Sequence, residues 1–518
     1  MKKTITLASH PLIRGTFFLT LAGLLSRVMG FFYRIFLSRV IGAEGMGIYQ
    51  LIFPVYSILH SLCASGIQTA ISRLVAANAS REKASFALRC GLALSLLLSL
   101  SAAFALYAFA DPIACTFLSE ERCAPLLQAL AFALPLGSIH ACINGYYYGL
   151  QHTAVPSITQ LAEQSARMCF IWIAFRISLQ EGRALPLSST VWAIAAGEFF
   201  STLYSVTAFT LKKPHLPSRS APSDRSAGLS DLISLALPLT ANRLFVNLLS
   251  SAEAILIPAR LQNHGHSPET SLVLYGALTG MAMPLILFPT AVTNSVSVLL
   301  LPEVARAQSL RNDRQISDSI QGTVKYCLLL GILFLGLFLL YGREMGTVLF
   351  HNALAGDILK SLSFICPFLY LSSTLASIIN GLGKTTAVFL HNVCCLSLRI
   401  FFVLFLVPVF GIRGYLWGLL ASLLLQTFLG FYTLRPYMKF SFPASEYILM
   451  PCLFLVIAVG CAFFLEPVFS CIPSAPELLA LSVRVAAVAL FYLLFLGLYQ
   501  MLPKQYRIPC RQRKKNGI

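Results

Sequence analysis

The sequence predicts an all-α polytopic membrane protein of about 14 transmembrane helices, on three observations. Of its 518 residues, 57% are hydrophobic and only 11% are charged, where a soluble domain carries about 25% charged residues. Mean hydropathy is +0.76. Apolar runs of about twenty residues recur from end to end, the length a helix needs to cross a hydrocarbon core roughly 30 Å thick. Nothing shows the period-2 alternation of an outer-membrane barrel.

In order, the runs fall near 12–40, 47–72, 87–110, 124–149, 155–176, 188–211, 232–258, 271–301, 320–341, 359–381, 386–408, 412–434, 446–466 and 478–502. The first is expected to stay as a helix: it is too long for a signal peptide, contains Arg27 and has no small-residue cleavage site. Pro54, Pro135, Pro284, Pro289 and Pro367 fall within or near the middle of spans, where each removes a backbone hydrogen bond and favours a bend. Gly66 and the Asn144-Gly145 and Asn380-Gly381 pairs add weak points of the kind that serve as hinges.

Loop charge sets the orientation. Basic residues crowd the N-terminus (Lys2, Lys3, Arg14), the second loop (Arg73, Arg81, Lys83, Arg89), the sixth (Lys212, Lys213, Arg219, Arg225), the eighth (Arg306, Arg311, Arg314) and the tail. The alternate loops carry Glu44, Asp111, Glu120, Glu121, Glu181, Glu269, Asp357, Glu466 and Glu477. By the positive-inside rule both termini are expected in the cytoplasm. The same rule accounts for most of the net charge of +18, from 38 basic against 20 acidic residues. With no aromatic-interleaved basic domain, nucleic acid is not an expected partner. The 14 cysteines are scattered through apolar runs with no metal-ligand spacing and read as small core hydrophobes.

Residues 212–230, rich in Pro and Ser, form a cytoplasmic linker between an N-lobe (1–211, spans one to six) and a C-lobe (231–435, spans seven to twelve). Residues 436–518 supply two further helices and a basic tail. The lobes look like copies. Leu130, Phe132, Pro135, Gly149, Leu150, Thr153 and Arg167 recur 232 positions on as Leu362, Phe364, Pro367, Gly381, Leu382, Thr385 and Arg399. An even-numbered repeat enters the membrane from the same side, so its pseudo-twofold runs along the membrane normal, and the substrate site of such transporters lies between the repeats.

Charge within a span costs about 2.5 to 3.5 kcal/mol on the lenient insertion scale, which makes buried ionisable residues functional candidates. Arg27 and Arg34 differ by about 20° around the helix and share a face, whereas Arg39 lies about 120° from Arg27. Arg14 and Arg39 can snorkel to the interfaces, but Arg27 sits midway. The seventh span, ISLALPLTANRLFVNLLSSAEAILIPARL, places Arg243 similarly, with Asn242 and Asn247 nearby and Glu253 further along. The arginines of the two helices would form a cationic cleft, and guanidinium forks suit phosphate oxygens. Arg27, Arg34 and Arg243 are therefore the substrate-binding candidates, with Glu253, Asn242 and Asn247 as counterion or coupling residues. Glu163 and Arg167 form an i,i+4 pair that needs no substrate; with Arg399 they are candidates for a supporting role. Glu198 and Arg484 have no role assigned by the sequence.

GLGKTT (381–386) lacks the first glycine of a phosphate-binding loop, since Ile378 stands there, and HGH (264–266) reads as a solvated loop. No Ser/His/Asp or paired-carboxylate arrangement supports an enzyme, and no metal or cofactor is implied.

SRVMGFFYRIFLSRVIGAEGMGIYQLIFPVY, CASGIQTAISRLVA, the seventh span, YGALTGMAMPLILFPTAVTNSVSVLLLPEVARA, CPFLYLSSTLASIINGLGK and VPVFGIRGYLWGLL together resemble the stage V sporulation protein B family. That family lies within the multidrug/oligosaccharidyl-lipid/polysaccharide exporter superfamily. The resemblance covers about the first 435 residues. It implies a transporter moving a lipid-linked glycan precursor, for peptidoglycan, spore-cortex or polysaccharide assembly, across the bacterial cytoplasmic membrane. Related lipid II flippases share the SRV(L/M)GF start and use arginines around a central cavity, which implies a substrate role for Arg27. They continue with an Arg-Asp pair where this chain has Tyr33-Arg34, and they bind sodium through acidic residues on late helices, of which spans eleven and twelve here have none.

The expected function is thus a flippase working by alternating access, with membrane lipids and cell-wall synthesis proteins as further partners. Moving two negative charges outward across about 100 mV releases roughly 4.6 kcal/mol. Two alternatives remain. One is a cation-coupled multidrug exporter, which Glu253 and Glu163 keep open. The other is a non-transporting scaffold for cell-wall synthesis.

Overall fold

The computed structural model describes residues 11–77, 81–211, 229–438, 444–464 and 477–501. Most of the expected linker, 212–228, and the basic tail, 502–518, lie outside the described residues. Every described element is a helix. Ten are long and apolar enough to cross a membrane, eleven if the pair Glu121–Ala131 and Ala133–Gly149, bent by 44°, counts as one span. The chain is a multi-span membrane protein.

The count differs from fourteen for physical reasons. Leu19–Ala77 is a 59-residue helical run, about 88 Å at 1.5 Å per residue, far longer than one crossing needs. It breaks at Gly42, whose φ of 70° is open to glycine without strain. That break separates the expected first and second spans. Ala154–Gln180 and Ser188–Leu211, 27 and 24 residues long, are the expected fifth and sixth spans. The first carries Glu163, Arg167 and Arg176, and the second is diluted by Glu198 and several buried Ser and Thr. The expected eighth span is counted among the ten as Pro268–Leu287 but ends early: Pro268–Gly276 passes into a π-helical turn, Ala277–Ala282, and after Met283–Leu287 a new helix begins at Thr290 behind Pro289.

Two compact units emerge from the packing, Met1–Gly276 with Val407–Gly411, and Ala277–Leu406 with Ile412–Ile518. The Leu229–Asn263 helix, which opens the second copy of the sequence repeat, packs within the first unit. There Gly47 and Gly276 let two helix backbones meet: a methyl on Gly276 would collide with Ala43 O and with Gly47 N. Small residues at such crossings are the usual device for close helix packing in lipid. One core of this unit gathers Ile67, Ile71, Leu74, Leu88, Tyr146, Tyr147 and Leu232.

In the second unit Tyr370 is fully buried and donates from its hydroxyl to Ile286 O at 3.1 Å. Met450–Phe464 and Glu477–Met501, the two helices beyond the repeat, pack on Asp313–Phe350 through Leu333, Leu337, Leu455, Val488 and Tyr492. Arg484, without a role in the sequence, lies 3.5 Å from Glu344.

The repeat has a local structural echo in each unit. Gly149 ends the Ala133–Gly149 helix, and a Cβ there would sit 2.7 Å from Ser72 O. Gly381, 232 positions on, ends Cys366–Gly381, and its Cβ would sit 2.9 Å from Leu301 O. Each glycine lets the end of one helix press on the backbone of another.

Candidate functional site

The second span is irregular where the first unit needs polar groups. Pro54 interrupts its backbone ladder, and Ser61–Ser65 forms a π-helical turn before Gly66. A π turn pairs each N–H with a carbonyl one residue further back than an α-helix does, which leaves carbonyls seeking other donors.

Leu229–Asn263 supplies donors at matching intervals. Thr240, Arg243, Asn247 and Ser251 follow at spacings of three, four and four, which is one helix face. Thr240 packs on Gly66, where a Cβ would leave it no room. Arg243 donates through Nη1 to Ser65 O at 2.8 Å and through Nη2 to Thr69 Oγ1 at 3.1 Å. Asn247 Nδ2 donates to Ser57 O at 3.4 Å and to Ser61 Oγ, and Ser251 Oγ donates to Pro54 O at 3.1 Å. A polar seam thus holds two apolar helices together, and in hydrocarbon an unmade backbone bond would cost several kcal/mol.

Beside the seam opens a cavity of about 440 Å³ lined by Tyr56, Ser57, His60, Ser61, Ser65, Asn242, Arg243, Val246 and Asn247. That volume lies in the range of small-ligand sites, roughly 300 to 1,000 Å³. No carboxylate is among the lining residues. Ser65 O and Thr69 Oγ1, the acceptors that Arg243 reaches, are neutral, so its positive charge is not cancelled by them. A cationic fork, two carboxamides, hydroxyls and an imidazole suit an anionic, hydroxylated ligand.

The structure brings together three of the expected residues here, Arg243, Asn242 and Asn247. Glu253 is buried further along the same helix and is not part of the lining. Arg27 and Arg34 also do not line this cavity. Arg27 is exposed, while Arg34 is half-buried within electrostatic reach of Arg167, Tyr33 and Tyr49. Helical angle does put 27 and 34 on one side, but their surroundings differ. Glu163 and Arg167 pair at 2.7 Å. Arg399 lies in the second unit. Tyr56, His60, Ser57 and Ser61 are not among the residues expected from the sequence; the serines at 57, 61 and 65, four apart, are the signal that marks that face.

A family model described as "Polysaccharide biosynthesis protein" matches residues 12–308, more than half of the chain. The chain belongs to the polysaccharide biosynthesis protein family. Among relatives of this family member, Stage V sporulation protein B of Bacillus subtilis (strain 168) is 26% identical over 514 residues, 97% of this chain and 98% of the relative. Lipid II flippase MurJ of the same organism is 23% identical over 401 residues, covering 73% and 74%. Among solved structures, lipid II flippase MurJ in an inward closed conformation superposes with a TM-score of 0.70 at 14% identity, covering 93% of this chain and 98% of that one. An inward-facing multidrug resistance MATE transporter of the MOP superfamily gives 0.64 at 15% identity, covering 80% and 96%. The polysaccharide biosynthesis protein described here therefore has a MATE/MurJ-like transporter fold.

Proposed function

We propose that this chain is a flippase carrying a lipid-diphosphate-linked glycan precursor, of peptidoglycan or spore cortex, across the bacterial cytoplasmic membrane by alternating access. The observation that carries the reading is Arg243, a guanidinium bonded to neutral acceptors at the edge of a cavity without a carboxylate. Family membership and the relatives' names, a lipid II flippase and a sporulation protein, support the same substrate class.

Arg243 holds the diphosphate, Asn242 and Asn247 bond sugar or phosphate oxygens, and Arg27 and Arg34 contribute positive potential from the first span. The lipid tail stays in the bilayer. Bound diphosphate cancels the arginine charge, so the loaded carrier moves little net charge and the empty, positive carrier returns down an inside-negative potential. Over a cycle two charges at about 100 mV contribute roughly 4.6 kcal/mol.

The repeat-related lobes 1–211 and 231–435 are the moving parts, both termini are cytoplasmic and the chain is not an enzyme. Glu163, Arg167 and Arg399 support the helices, and Glu253 is an internal counterion. Cell-wall synthesis proteins receive the product. The multidrug-exporter reading draws on the MATE-like fold but wants a carboxylate in the cavity, and the lining has none. Reconstituted protein offered either a lipid-diphosphate glycan or a cationic dye separates them: movement of the first alone supports the flippase, and movement of the dye alone overturns it.

A further inference from the structure

A second polar cluster lies deeper in the first unit, around Glu198 of the Ser188–Leu211 helix. Glu198 is 6% exposed. Its Oε1 accepts a hydrogen bond from Tyr56 Oη at 3.1 Å. Its Oε2 has no hydrogen-bond partner among the described residues, and His140 Nδ1 stands 3.5 Å from it. A buried carboxylate oxygen with no donor costs free energy as an anion and is the place where a proton would relieve that cost.

Ser201 Oγ ties the two groups together: it lies 3.0 Å from Glu198 O, an acceptor for its hydroxyl, and 2.6 Å from His140 Nδ1, where the direction of the bond follows the imidazole tautomer. Glycines make the space: a Cβ on Gly137 would lie 3.2 Å from Oε2 and 3.5 Å from Tyr56 Oη. On Gly197, a Cβ would lie 3.0 Å from Glu163 O and 3.5 Å from Arg167 Nε.

Each neighbouring helix contributes differently. Ala154–Gln180 brings Glu163 and Arg167, paired at 2.7 Å and both within electrostatic reach of Glu198. Ala133–Gly149 brings His140, and Pro11–His60 brings Tyr56 with His60 beside it, ring centroids 5.7 Å apart. Ala124–Ala131 carries no titratable side chain. Arg34, Tyr33 and Tyr49 lie within electrostatic reach of Arg167. Tyr56 and His60 also line the Arg243 cavity, so Tyr56 joins that cavity to the buried carboxylate.

We propose that Glu198 and His140 form a proton-binding site, loaded from the Arg243 cavity past Tyr56, through which transport by this chain is coupled to protons. The proposal rests on the transporter reading above. Loading breaks an O–H bond of a hydronium ion in the cavity and forms one at Oε2; unloading returns the proton to water. A proton fits better than a metal cation because the Arg167 guanidinium lies within electrostatic reach of Glu198 and would repel one. Among the described residues no group of three His, Cys, Asp or Glu side chains could hold a metal.

The test uses the full chain reconstituted in lipid. Infrared difference spectra across a pH step should show a carboxylic-acid C=O band that disappears in Glu198→Gln and persists in Glu163→Gln. A band that survives Glu198→Gln, or no band at all, overturns the site. Because that readout needs no substrate, it stands apart from flipping.

In vesicles with a lipid-diphosphate glycan and a pH-sensitive dye, wild type should move protons only with substrate, and Glu198→Gln and Tyr56→Phe should abolish that movement. Melting temperatures near wild type would confirm that both variants are folded. Flipping that ignores a pH gradient, or follows a sodium gradient instead, overturns the coupling and leaves the flippase standing. A pH-dependent band in protein that flips nothing overturns the flippase and the coupling, and leaves the proton site standing.

Discussion

Replacing Arg243 by alanine removes two hydrogen bonds, to Ser65 O and Thr69 Oγ1, and one positive charge from the cavity rim. The two roles have separable sizes. As a clamp on the π-helical turn, Arg243 satisfies one backbone carbonyl and one hydroxyl, and their loss should cost about 1 to 3 kcal/mol of stability. As a diphosphate ligand, a charge-assisted contact is worth about 1.5 to 3 kcal/mol of binding, or roughly a 10- to 150-fold weaker apparent affinity. The assay is the initial rate of flipping of a lipid-diphosphate glycan in proteoliposomes against its mole fraction, with the melting temperature of the same preparation in detergent. Both quantities should fall for Arg243→Ala. Arg243→Lys keeps the charge but not the fork, and should recover affinity more than stability. Unchanged affinity in a destabilised Arg243→Ala protein would refute the ligand role and leave only the clamp.

Other outcomes follow from the same contacts. Asn247→Leu leaves Ser57 O without that donor and should lower stability by about 1 to 2 kcal/mol, read as a lower melting temperature. Gly276→Ala forces a methyl against the backbone of Ala43 and Gly47 and should cost about 1 to 3 kcal/mol, measurable as reduced yield of monodisperse protein and an earlier melt. Arg167→Met alone strands a half-buried Glu163 and should destabilise by about 3 to 5 kcal/mol, whereas the double variant Glu163→Leu/Arg167→Met should recover most of it in the same melt. Arg27→Ala should slow flipping while Arg39→Ala leaves it near wild type, compared in one vesicle assay.

Much of the architecture is legible in the sequence because the bilayer imposes it. The recurrence of apolar helices and the break at Gly42, between the expected first and second spans, follow from local composition, and the Pro54 to Gly66 stretch carries its irregularity in its residues. Arg243, Asn242 and Asn247 stand out because a polar group in an apolar span must find a polar partner or a ligand. What the sequence hides is tertiary. Tyr56 and His60 look like ordinary residues of an amphipathic stretch until the Leu229–Asn263 helix is laid against them. Glu198 is a lone acid in an aromatic run, and its hydrogen-bond partner Tyr56 lies 142 positions away, beyond any i,i+4 search. The placing of Arg27 and Arg34 shows the limit of the helical wheel: it ranks faces, but only packing leaves Arg27 exposed and half-buries Arg34 within electrostatic reach of Arg167 and the tyrosines.

The most direct test of the central claim is flipping itself. Purified protein in liposomes is given an undecaprenyl-diphosphate-linked glycan, and its appearance in the opposite leaflet is followed by a membrane-impermeant glycan-modifying enzyme. Transfer should run well above that in protein-free liposomes, weaken in Arg243→Ala and accelerate under an electrical potential that pulls negative charge in the transport direction. Transfer no faster than in protein-free liposomes, from folded protein with the potential applied, would contradict that claim.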